Sequence, residues 1–150
     1  MSVSKVLKLV EAEPHNEYRL QEQVGFVLRK AHQRHVSIFA AHIGDLTPPQ
    51  FAALARLADV GETSQNQLGT LIAMDAATVK GVIDRLKTRG LVELSKHEVD
   101  KRRLLVNLTA EGRNAVERLI PIARDITEET LAPLSAKEAA IFMKLLAKLA

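Results

Sequence analysis

Between Asp75 and Leu91 the chain reads DAATVKGVIDRLKTRGL. Ala76, Ala77 and Gly81 stand with Thr78 beside Lys80, Arg85 and Lys87. Small side chains near a helix start let another molecule come close to the backbone. The ammonium and guanidinium groups beside them attract anionic, acceptor-rich surfaces. The chemistry on offer is recognition by hydrogen bonds and charge. A second cationic cluster follows at Lys96, His97, Lys101, Arg102 and Arg103, with Asp100 among them. A carboxylate two residues before Arg102 is expected to hold the guanidinium in one direction, so that less entropy is lost on binding. The plainer reading of Asp100 is a surface ion pair contributing ~0–1 kcal/mol.

The net charge of +3 is spread unevenly. Residues 76–103 hold eight basic and four acidic side chains, whereas the rest of the chain holds thirteen basic and fourteen acidic ones. A local excess of this kind is the footprint of a polyanion site, although an ordinary solvated face has the same composition. Other chemistries lack their parts. No Gly-rich phosphate loop, serine elbow or paired carboxylate motif is present, and a nucleophile needs an oriented base. Ser64 and Ser135 both read as helix caps. An enzyme is not expected, and no cofactor is implied.

The absence of cysteine excludes a disulfide frame, a thiolate nucleophile and a Cys-ligated zinc site. It fits a reducing, cytoplasmic setting. Glu11 and Glu13 interrupt an N-terminus without a long apolar run, which reads as no signal peptide. No stretch is apolar enough for a membrane span, so no membrane partner is expected.

The elements that must position these residues follow from periodicity and caps. Residues 1–16 read as a loose or partly helical arm. Leu20, Val24, Val27, Leu28, Ala31, Ile38 and Phe39 form a helical stripe from Glu17 to about Gly44, roughly 40 Å long at ~1.5 Å per residue. Thr47, Pro48 and Gln50 start a second helix as a capping box. Its expected buried face is Phe51, Leu54, Leu57 and Ala58, and Gly61 stops it. Ser64 caps a short third helix with Leu68, Leu71 and Ile72 inward. Asp75 caps the fourth, with Val79, Val82, Ile83 and Leu86 inward, and Gly90 with Leu91 closes it. LVELS and LLVNL then read as two strands around a charged tip. Thr109 caps a fifth helix with a stripe of Val116, Leu119, Ile120, Ala123 and Ile126, in which Pro121 is expected to cause a kink. Ser135 and Glu138 form a capping box for a last helix bearing Ile141, Phe142, Leu145, Leu146 and Leu149.

The expected fold is mainly α with a small β-wing: a winged helix-turn-helix with N- and C-terminal dimerisation helices. Residues 1–46 would be the arm and first dimerisation helix, 47–111 the DNA-binding domain, and 112–150 the C-terminal dimerisation helices, in one intertwined domain. In a helix-turn-helix the second helix enters the major groove of double-stranded DNA. Ala76, Ala77, Thr78 and Gly81 would then approach base edges, and Lys80, Arg85 and Lys87 would reach acceptors. Ser64, Gln65 and Asn66 would offer N–H groups and side-chain donors to phosphate. Lys96, Asp100, Lys101, Arg102 and Arg103 would form a minor-groove probe.

TVKGVIDRLKTRGLV, followed by DKRRLLVNLTAEGR, resembles the MarR family of bacterial transcription regulators. The Asp100-x-Arg102 wing, the strand running into Leu108-Thr109, and Gly112 three residues after Thr109 carry the likeness. It extends from Glu17 to Ala150. The chain departs from the family at Lys80 and Gly81, where larger or Arg side chains are common. The resemblance implies a triangular homodimer on a pseudo-palindromic operator. It also implies an effector site for a small phenolic or aromatic acid of the benzoate, cinnamate or hydroxynicotinate kind.

The first helix and the last two helices carry more apolar surface than the middle segment can cover, which by itself points to a two-fold dimer. Polar residues interrupt that surface. Arg34, His35, Phe39 and Phe51 are the candidates to line an effector pocket. The plainer reading is hydrogen-bonded histidines in a packed interface. A metal site from His32, His35 and His42 is a third reading, weakened because no nearby carboxylate completes a convincing ligand set. Two alternatives stand beside the repressor reading. One is a winged-helix interaction module without DNA binding, which the cations at Lys80, Arg85 and Arg102 oppose. The other is a redox-independent regulator with no small-molecule effector.

Overall fold

The computed structural model describes residues 17–150. The arm expected over residues 1–16 lies outside the described residues. The chain divides into two compact units, Met1–Arg34 and His35–Ala150.

In the first unit a 3-10 turn spans Leu20–Glu22, and helix α1 begins only at Val24; it runs to His42, with His35–His42 belonging to the second unit. This corrects the single helix expected from Glu17. Gln23 adopts an extended backbone at ψ 137°, and its Nε2 donates to the Arg19 carbonyl at 3.0 Å. That local bond competes with helix continuation. With 19 residues, α1 is about 28 Å long at ~1.5 Å per residue. Leu20, Val24, Val27 and Leu28 are all exposed.

The second unit holds the remaining elements. Helix α2, Pro48–Val60, starts at the Thr47 capping box and ends at Gly61, whose φ is +77°. Its buried side is Ala53, Leu54 and Leu57; Ala58, expected inward, is exposed, and Phe51 is half-buried. Strand β1 is Thr63–Ser64, α3 is Gln65–Leu71, α4 is Ala76–Thr88, β2 is Val92–Lys96 and β3 is Leu104–Leu108. The expected two-stranded hairpin is therefore a three-stranded antiparallel sheet in the order β1-β3-β2. Thr63 faces Val106, and Lys96 faces Leu104. Two residues are too few to show the alternation that marks a strand.

One aliphatic core joins these parts. Leu54 of α2, Leu68 of α3, Val79, Ile83 and Leu86 of α4 and Val106 of β3 are fully buried. Helix α5, Ala110–Leu131, adds Val116, Leu119 and Ile126 and continues through Pro121, while Ile120 is exposed. Helix α6, Ala136–Lys148, starts at the Ser135–Glu138 capping box and buries nothing. Ile141, Phe142, Met143, Leu145 and Leu149 are left in solvent.

Candidate nucleic-acid interface and ligand pocket

The turn between α3 and α4 sets the angle of the cationic helix. Met74 N–H donates to the Gly69 carbonyl at 2.8 Å, and Ala73 N–H to Thr70 at 3.2 Å. This is a Schellman ending whose left-handed position, usually glycine, is Ala73 at φ +56°. A side chain on Gly69 would put its Cβ 3.1 Å from the Met74 carbonyl oxygen and 3.2 Å from Val79. Glycine here lets α3 lie against α4. Asp75 then accepts from the Thr78 N–H at 2.8 Å. That backbone donor holds the Asp75 carboxyl below the usual carboxylate range.

Helix α4 divides as its periodicity predicts. Val79, Val82, Ile83 and Leu86 are buried, and Ala76, Ala77, Thr78, Lys80, Gly81, Arg85 and Lys87 are exposed. Nothing lies within 4 Å of a Cβ placed on Gly81. Lys80 sits 2.9 Å from Asp84, one turn on. Such an exposed pair contributes little, so the ammonium is free to exchange partners. Arg89 differs from the other cations. Its Nη2 meets the Asp45 carboxylate at 3.0 Å, and its Nη1 donates to the Asp45 carbonyl. It clamps the end of α4 to the loop before α2. A second Schellman ending follows, with Leu91 N–H on the Leu86 carbonyl and Gly90 at φ +72°.

The wing is tied to α4 at its base. The Thr109 hydroxyl donates to the Gly90 carbonyl at 2.6 Å and accepts from Gly112 N–H at 3.0 Å. A Cβ on Gly112 would fall 2.0 Å from the Leu91 carbonyl oxygen. Only glycine fits that crossing, which gives the Thr109-to-Gly112 spacing its physical reason.

At the tip, Asp100 and Arg102 form a long, exposed ion pair. The Asp100 carboxylate accepts from the backbone N–H of Arg102 at 3.2 Å, while the Arg102 guanidinium stands 3.9 Å away and is 99% exposed. Asp100 shapes the turn and only loosely steers the side chain. Lys96 is the last residue of β2, and Lys101, Arg102 and Arg103 follow in the exposed tip.

A cleft of about 620 Å³ brings the tip and α3 together, lined by Ser64, Gln65 and Asn66 on one side and Asp100, Arg102 and Arg103 on another. Gln67, Thr70 and Leu104 complete it, none of them singled out in the sequence. Ser64 is the weak member of the expected set. It is buried, and its hydroxyl oxygen is occupied by the Gln67 N–H at 3.1 Å.

A second, smaller cavity of about 190 Å³ is lined by His35, Phe39, Pro48, Phe51, Ala123, Ile126 and Thr127. Three of the four expected pocket residues thus meet; Arg34, one residue before His35 on α1, belongs to the first unit. The Phe39 and Phe51 rings lie 6.2 Å apart, tilted by 57°. His35 Nδ1 is 2.9 Å from the Thr130 hydroxyl oxygen, and that hydroxyl donates to the Ile126 carbonyl at 2.8 Å. With the hydroxyl hydrogen so placed, the ring donates from Nδ1, and Nε2 is the atom left to meet a ligand. His42 Nε2 meets the Glu129 carboxylate at 2.5 Å. One carboxylate thus stands beside one histidine. Among the described residues, no three His, Cys, Asp or Glu side chains are grouped to hold a metal ion. No helix among them is long and apolar enough to cross a membrane.

Comparison with known proteins agrees with this architecture. The profile of the MarR family matches residues 44–103. The HTH-type transcriptional repressor NicR of Pseudomonas putida is 42% identical over 134 residues, covering 88% of this chain and 85% of that protein. The crystal structure of a probable transcriptional regulator from Pseudomonas aeruginosa superposes with a TM-score of 0.85 at 51% identity, covering 88% of this chain and 100% of the other. BpsR of Bordetella bronchiseptica, whose DNA binding is regulated by 6-hydroxynicotinic acid, gives a TM-score of 0.85 at 43% identity, covering 89% and 97%. On this fold and these likenesses, the chain belongs to the MarR family of winged helix-turn-helix transcriptional regulators.

Proposed function

We propose that the protein is a homodimeric repressor that binds a pseudo-palindromic operator and is released from it by a small aromatic acid. The observation that carries this reading is the cleft that sets Arg102 and Arg103 beside Gln65 and Asn66. With it goes the exposed cationic side of α4. In the reading, α4 lies in the major groove with Thr78, Lys80, Arg85 and Lys87 against bases and phosphates. The wing reaches the adjacent minor groove with Arg102. Two copies would place their α4 helices about one DNA turn apart, ~34 Å. The apolar residues left exposed on α6, and separately on α1, support pairing with a second copy.

The pocket supports the ligand-responsive part. A cavity of ~150 Å³ holds one benzene ring, so 190 Å³ suits a single-ring ligand. Phe39, Phe51 and Ile126 would supply apolar walls. His35 Nε2 would meet a carboxylate, and for that contact the ring must carry both protons. The pocket lies among α1, α2 and α5, and the N-terminus of α5 is tied to the wing base through Thr109 and Gly112. A ligand that fits one spacing of these helices better shifts the population away from the DNA-competent form.

The similarity to BpsR makes 6-hydroxynicotinic acid the first compound to test, with benzoate and cinnamate beside it. Thermal denaturation of the purified protein against these acids is the experiment. A ligand that binds only the folded state raises the melting temperature, and the same ligand should release a bound duplex. Stabilisation without release would remove the regulatory part of the reading.

A further inference from the structure

The wing tip is held together by a ring nitrogen. His97 follows the last residue of β2, and its Nδ1 accepts from two backbone amides, Val99 N–H at 3.2 Å and Asp100 N–H at 3.1 Å. The His97 amide donates across the hairpin to the Arg103 carbonyl at 3.0 Å, and Arg103 N–H returns to the Asp100 carbonyl at 3.0 Å. The apex so formed carries Val99, 88% exposed, and the Arg102 side chain, 99% exposed. An exposed seven-residue tip with two side chains in solvent has no core to order it. Its shape rests on these hydrogen bonds.

An imidazole nitrogen accepts only while it has no proton. We infer that His97 is a positioning residue: its neutral ring, with the proton on Nε2, fixes the tip that presents Arg102, and protonation releases the tip. This rests on the reading of the wing as a DNA probe. The charged residues of the tip and its strand ends are Lys96, Glu98, Asp100, Lys101, Arg102 and Arg103. The Asp100 carboxylate is turned to the Arg102 amide. Among the described residues no ion pair includes His97.

The direction of the effect separates it from simple charge. Protonating histidines adds positive charge, which by itself strengthens attraction to phosphates. Release of the tip acts in the opposite sense. Asparagine supplies the matching control. Its Oδ1 stands as far from the backbone as the histidine Nδ1, reaches the same two amides, and keeps its acceptor at every working pH.

The experiment uses the full chain and a labelled duplex selected by the wild-type protein from a random-sequence pool. Wild type is expected to lose about tenfold in affinity between about pH 8 and about pH 5.5, the scale of losing one or two net hydrogen bonds. His97→Asn should bind like wild type at the higher pH and show no such loss. His97→Ala should be weak at both. A second readout needs no DNA: nitrogen-15 NMR of the ring at about pH 8 should find the proton on Nε2, and the Val99 and Asp100 amides should exchange slowly in wild type and His97→Asn but fast in His97→Ala. A proton on Nδ1, an Asn variant as weak as the Ala variant, or one with the wild-type pH profile would overturn the inference. If the pool yields no duplex, the DNA-binding reading fails instead, and the ring and amide measurements still decide whether His97 holds the turn.

Discussion

Arg102 is nearly bare, with a carboxylate 3.9 Å away as its loose partner. Such a side chain gives up no strong protein partner when it meets a phosphate or a base edge. Arg102→Ala should weaken operator binding by about 1–3 kcal/mol per half-site, read by fluorescence anisotropy, with no change in melting temperature. An unchanged affinity would remove the wing from the interface. His35→Ala should blunt release by the effector and leave DNA affinity largely intact, since His35 meets α5 and not the cleft. Ala73 invites the opposite kind of change. It holds φ +56°, where an L side chain is strained. Ala73→Gly should raise stability by about 0.5–1 kcal/mol in urea denaturation, the relief of strain exceeding glycine's extra chain entropy. At this scale local roles were legible. Thr47, Asp75, Thr109 and Ser135 cap their helices because a cap needs only residues three positions away. The partners of His35 and His42 were not, because Thr130 and Glu129 lie 95 and 87 residues off.

Among elements, the joint between α4, the wing and α5 is closely packed at Gly112. Gly112 allows the Leu91 carbonyl to pass where a Cβ would collide at 2.0 Å. Gly112→Ala should cost about 3 kcal/mol, the scale of overpacking against backbone, and should weaken DNA binding in step with the melting temperature. The helix caps give the fold an acid dependence. Backbone N–H donors, from Thr78 to Asp75 and from Ser135 to Glu138, hold both carboxyls below their ordinary range. Their contribution is complete above the unfolded carboxylate values and is lost as pH falls through the depressed folded ones. Asp75→Asn with Glu138→Gln should therefore melt lower at neutral pH and lose less on acidification. Among the described residues, the six helices and the two long strands were readable from period and turn residues. Strand β1 was not, because two residues carry no period, and the break at Gln23 was not, because a single side chain-to-backbone bond makes it.

For the molecule as a whole, the chain leaves apolar side chains in water that a second copy would cover. Leu145→Glu on α6 should shift the protein toward monomer in analytical ultracentrifugation, and DNA affinity should fall because one half-site alone is read. Retained dimerisation would place the interface elsewhere. The central claim is that two copies bring cationic α4 helices and wings onto one duplex. Titration of the selected duplex across a series of salt concentrations tests it most directly. We expect two chains per duplex and a straight fall of log affinity with log salt, with a slope of about −5 or steeper from counterion release. Binding that ignores salt, a single chain per duplex, or no binding at all would contradict it.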